Sequence, residues 1–126
     1  MTAVLKSMQK KEWRLLMKYF VEVKDMVNTV YHEFQKGHFD GITFWKEDSI
    51  CLHDDIVCAL GLEELFASVI PQYCSTEEME VNEEQWNEMV QKAAYIGDEV
   101  KECITEADAW VKNTFTEHDV FTIIGV

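Results

Sequence analysis

Apolar side chains recur at Trp13, Leu16, Phe20, Val23, Val27, Val30 and Phe34, a spacing of three and four that lays one stripe along a helix. Tyr19, Met26 and Tyr31 widen it, and Gly37 after Lys36 supplies a stop. The pattern predicts one long amphipathic helix ending near residue 37. From Asp40 to Asp55 the period changes. Residues 42–45 and 50–53 are short β-prone runs around Lys46-Glu47-Asp48-Ser49, which predicts a β-hairpin. Asp54 or Asp55 then caps a short helix through Leu60, and residues 62–70 give another turn or two, stopped by Pro71.

Asn82 and Gln85 have the three-residue offset of a variant capping box, with Glu83 and Glu84 where a helix N-terminus favours anions. The apolar positions that follow, Trp86, Val90, Ala93, Gly97, Val100, Ile104, Ala107 and Val111, predict a second long helix of about 30 residues. Gly97 inside that stripe costs roughly 1 kcal/mol of helix propensity, which close approach of the first long helix would explain. Residues 113–116 break the helix. Residues 120–126 are uncharged, β-branched and apolar on both faces, so a bare edge position would invite aggregation. They belong inside the sheet, beside the hairpin and under helices.

The expected fold is therefore α+β. It has two long packed amphipathic helices, one or two short ones, and a sheet of about three strands made by the hairpin and the C-terminal strand. A length of 126 residues fits a single domain spanning 1–126, and 48% hydrophobic content excludes disorder. No apolar stretch approaches the length needed to span a bilayer, and the first residues run into charge too soon for a secretory signal. A cytoplasmic location is expected by default.

Charge changes the picture more than composition does. Residues 37–126 carry four basic side chains against 20 acidic ones, a balance of −16, whereas residues 1–36 balance at +3. The net −13 is thus an asymmetry. Such a surface repels nucleic acid and anionic membrane and steers a cationic partner. Lys10, Lys11, Arg14 and Lys18 line one face of the expected first helix, but the acidic remainder would repel a polyanion within a Debye length of about 8 Å. That face is expected to be solvated or to pair with acidic groups of this chain or a twin.

Catalytic and metal chemistry find no motif above background. Cys51, Cys58, Cys74 and Cys103 are dispersed without a C-x-x-C pair, which fits free, mostly buried thiols better than disulfides or structural zinc. His53-Asp54 and His118-Asp119 use ligand types known from metal-dependent phosphohydrolases, but His beside Asp at an element boundary is more often a cap. His32 and His38 are six apart, the wrong spacing for one helical face. Cys51 and His53 share a strand face without an orienting group, and the five glycines never cluster into a phosphate loop. No cofactor or metal is expected.

The acidic side chains carry the functional expectation. Glu77, Glu78, Glu80, Glu83, Glu84 and Glu88 lie within 12 residues, and Asp98, Glu99 and Glu102 continue the polar side. Like charges four apart, as at Glu84–Glu88, Asp98–Glu102 and Glu102–Glu106, oppose helix formation by roughly 0.2–0.5 kcal/mol each. The dipole at the helix C-terminal end is also unfavourable for Glu106 and Asp108. These nine carboxylates, from Glu77 to Glu102, are the expected contacts for a basic protein partner. In size, charge and α+β build the chain is similar to cytosolic immunity proteins that cover the cationic active site of a toxin, in particular a nuclease. The alternatives are a phage-type DNA mimic acting on a host defence enzyme, an acidic secretion chaperone with an apolar groove, and a small enzyme or ligand-binding domain with a pocket at Cys51, His53 and Asp54.

Overall fold

The computed structural model describes residues 17–126. The chain is α+β, with a five-stranded antiparallel sheet covered on one face by helices. Strand β1 (Phe20–Glu22) leads through a 3-10 turn (Val23–Asp25) to β2 (Tyr31–Lys36) and β3 (Ile50–His53). Helices α1 (Asp54–Ala59) and α2 (Leu62–Val69) precede β4 (Glu78–Asn82). Helices α3 (Glu83–Ile96) and α4 (Asp98–Phe115) then lead to β5 (Val120–Ile124). Strands lie in the order β1-β3-β2-β5-β4.

The expected first long helix is overturned. Its positions 13 and 16, with Lys10, Lys11 and Arg14, lie outside the described residues, and the remainder forms β1, the 3-10 turn and β2. Val27 is 84% exposed, so the helical stripe is not a buried face. β2 sits between β3 and β5, which take up its backbone donors and acceptors on both sides. Its residues alternate: His32 and Phe34 face the helices, and Tyr31, Glu33 and Gln35 face the other way, all buried. Pairing across a central strand has overridden a three-four spacing that mimics a helix.

The expected hairpin is half present. β3 forms, but it pairs with β1 and β2 in the registers Phe20↔Leu52 and Phe34↔Ile50, not with residues 42–45. Asp40 captures that run in a turn, its carboxylate accepting from the N–H groups of Ile42 and Thr43 and from the Thr43 hydroxyl. The segment between β2 and β3 is fixed to the outer sheet face by Glu33. Trp45 there has φ 59, a left-handed conformation that stores strain of order 1–3 kcal/mol in a bulky residue.

His53, not Asp54 or Asp55, caps α1, its Nδ1 accepting from the Asp55 N–H at 3.0 Å. α2 ends just before Pro71 as the sequence requires. β4 was not anticipated. Its inward Met79 and Val81 alternate with exposed Glu78, Glu80 and Asn82, a two-residue period hidden by the glutamates. The capping box of Asn82 and Gln85 closes in both directions, at 2.8 and 3.0 Å.

The second expected helix is two helices, broken at Gly97 and packed against each other. The two long helices that pack together thus both lie within residues 83–115, whereas the expected pair takes one from each half of the chain. Gly97 is extended, at φ 163 and ψ 168, and a Cβ there would meet no atom within 4 Å, so close approach of another element does not explain it. β5 lies inside the sheet, between β2 and β4. Its Phe121 packs against Phe34, Trp86, Trp110 and Phe115, with ring centroids 5.4 to 6.0 Å apart. These rings centre the core between sheet and helices. No described helix is long and apolar enough to cross a membrane.

Candidate functional site

The nine carboxylates divide into two groups. Glu77, Glu78 and Glu80 belong to β4 and its approach, and Glu83, Glu84 and Glu88 to the first two turns of α3, all exposed. Asp98, Glu99 and Glu102 begin α4, at the other end of an α3 that is roughly 20 Å long at 1.5 Å per residue. The break at Gly97 makes Asp98 and Glu99 first-turn residues, where the helix dipole favours them.

Several acidic groups serve the fold. Glu106 accepts the backbone N–H groups of Lys18, Tyr19 and Phe20 at 2.7 to 2.8 Å, which docks the start of β1 on α4. Glu102 accepts from Lys18 Nζ at 3.1 Å and from the Tyr19 hydroxyl at 2.9 Å, and both contacts hold its carboxyl below the ordinary range. Asp108 accepts the Trp86 indole N–H. Glu88 pairs with Lys92 at 3.2 Å. By contrast, Glu77, Glu78, Glu83 and Glu84 have no side-chain partner among the described residues, and Glu80 meets only His38.

β4 presents this group. It is an edge strand, and the Gly125 N–H bonds the Glu77 carbonyl. Because hydrogen-bonded pairs alternate along an antiparallel ladder, Met79 and Val81 then turn their backbone groups toward β5, and Glu78 and Glu80 turn theirs to the open edge. Five carboxylates thus border a strand edge and a helix N-terminus.

The histidine and cysteine groups are placed elsewhere. His32 is fully buried, its Nε2 2.8 Å from Asp54 Oδ1, and the Cys58 thiol reaches Asp54 Oδ2 at 3.7 Å. A separation of 22 positions hid this pair from any reading of spacing. All four cysteines are free, Cys51 and Cys103 buried, Cys74 half-buried and Cys58 exposed. Burial pushes the Cys51 and Cys103 thiols up to about 12. Desolvation and the Asp54 and Glu63 carboxylates raise Cys58 as well. Thiols held protonated are the reverse of what nucleophilic attack requires. Among the described residues no three His, Cys, Asp or Glu side chains converge as a metal site.

A separate cavity of about 270 Å³ lies beside β1, lined by Glu22, Val23, Lys24, Trp45 and Glu47. Sequence reading did not single it out, since Glu22 and Glu47 come together only through folding. Comparison with protein-family models, with curated proteins and with solved structures returns no match.

Proposed function

We propose that this protein is a non-catalytic inhibitor that binds a basic protein, most simply an immunity protein that covers the cationic active site of a toxin such as a nuclease. One observation carries the reading: β4 and the first turn of α3 present Glu77, Glu78, Glu80, Glu83 and Glu84 along one edge with no lysine or arginine of the described residues paired to them. Fold energetics account for Glu102, Glu106 and Asp108, and capping accounts for part of Glu83 and Glu84. They do not account for Glu77 and Glu78, and Glu80 is engaged only by His38.

Carboxylates in such a row take the places of substrate phosphates in a cationic cleft. They accelerate encounter toward roughly 10⁸–10⁹ M⁻¹s⁻¹ at low salt. Two copies meeting edge to edge would set glutamates against glutamates, which disfavours self-pairing and leaves the edge to a cationic partner.

The test is charge reversal. Glu77, Glu78, Glu84 and Glu88 are replaced together by Lys, and affinity for the captured native partner is measured against salt. The proposal requires weaker binding and a shallower salt slope. If both stay put, the interface lies elsewhere.

A further inference from the structure

The cavity at Trp45 has the composition of a cation-binding pocket. Ligand pockets for drug-sized molecules run about 300–1,000 Å³ and one water takes roughly 30 Å³, so a cavity of about 270 Å³ suits a single large side chain. Its walls combine Trp45 with the exposed carboxylate of Glu47 on the facing segment, and Glu22 on β1, a carboxylate already engaged within the protein, adds negative charge beside them. Lys24 lies at the same cavity, with Nζ 3.8 Å from Glu22 Oε1 and its side chain 73% exposed, so an ammonium of the chain itself already approaches these walls.

The placing of Trp45 is costly to the fold. Its backbone is left-handed, where glycine or asparagine would sit without strain. It is held there by the fully buried Glu33, which accepts from the Trp45 N–H at 2.7 Å, the Lys46 N–H at 2.8 Å and the Ser49 hydroxyl at 2.6 Å. Strain of this kind collects at binding sites. The indole remains only partly buried at the end of it.

An aromatic surface beside carboxylates recognises a guanidinium best, because its plane stacks on the ring while its N–H fork bonds a carboxylate in two places. We propose that this pocket receives an arginine side chain of the basic partner, as an anchor on the sheet edge opposite the glutamates of β4. The ownership of that arginine rests on the inhibitor reading. The pocket's preference for guanidinium does not.

The test uses the whole ¹⁵N-labelled protein and three probes: N-acetyl-arginine methylamide, its lysine counterpart and its uncharged citrulline counterpart. The readout is the Trp45 indole N–H resonance, assigned by its loss in Trp45→Phe. The expected result is a saturable shift with arginine, a smaller one with lysine and none with citrulline. Glu47→Gln, at an exposed position, should weaken the arginine titration about threefold or more, and Lys24→Ala should strengthen it by removing a competitor. An immobile resonance, an equal response to citrulline, or no effect of Glu47→Gln would each overturn the proposal. If arginine binds here while charge reversal at Glu77, Glu78, Glu84 and Glu88 leaves partner affinity unchanged, the glutamate reading falls and this one stands.

Discussion

The indole N–H of Trp86 donates to Asp108 Oδ1 at 2.8 Å and so ties α3 to α4 across the break at Gly97. Trp86 is fully buried, so removing its acceptor strands an N–H in the core. Asp108→Ala should cost about 1–3 kcal/mol. Asp108→Asn keeps a carbonyl in reach and should cost clearly less. Urea denaturation of both variants checks this, and equal losses would assign the effect to packing instead of the hydrogen bond.

Glu33 anchors the segment over the outer sheet face through three donors, those of Trp45, Lys46 and Ser49. Replacing the fully buried Glu33 with Ala leaves all three donors without their acceptor. A loss of about 3 kcal/mol or more is expected. Glu33→Gln should fall between, since its amide nitrogen would confront a donor. Hydrogen exchange gives the sharper check: the Trp45 and Lys46 amides should lose protection in Glu33→Ala well before those of β5.

Two titrating groups on the loop side act in opposite senses. The Glu80 carboxylate bonded to His38 raises that imidazole above 6.5, with a smaller push from Asp119. A raised folded value means a contribution fully present below the unfolded pKa and lost as pH rises through the folded one. Asp40 is held down to about 2, from 3.8, by the Thr43 N–H and hydroxyl and the Ile42 N–H. Its contribution is present above the unfolded value and lost as pH falls through about 2. Titration followed by NMR should place His38 above 6.5 in the native chain and closer to 6.5 in Glu80→Gln. An unchanged midpoint would break the assignment.

Signals that act over three or four residues were legible. The Asn82–Gln85 capping box, the stop of α2 at Pro71, and an apolar strand at residues 120–124 needed only local chemistry. The first region misled because Phe20, Val23, Val27, Val30 and Phe34 happen to repeat at a helical period, while the deciding fact is that β3 and β5 flank Tyr31–Lys36. β4 was masked because its outward side chains are glutamates, which read as charge before they read as alternation. The acidic residues were visible, but their division was not. Glu102, Glu106 and Asp108 have partners 22 to 88 positions away, so only folding separates them from Glu77 and Glu78, which have none among the described residues. Trp45 was unreadable for the same reason, its conformation being set by Glu33, 12 positions earlier.

The two C-terminal-half glycines should behave in contrary ways. At Gly125 a Cβ would lie 2.0 Å from the Ser75 carbonyl oxygen, a backbone atom that cannot swing aside. The Gly125 and Val126 N–H groups bond the carbonyls of Glu77 and Ser75, so any shift is passed to the approach of β4. Gly125→Ala should therefore lower stability by at least about 1–3 kcal/mol, and under the proposed inhibitor role it should also weaken binding by displacing Glu77. At Gly97 the space is open and the backbone extended, a conformation alanine also adopts. Gly97→Ala should stay within about 0.5 kcal/mol of the native protein, or gain slightly through a less disordered unfolded chain. Thermal unfolding of the pair decides it. A large loss at Gly97 would mean that the turn between α3 and α4 depends on glycine for a reason other than space.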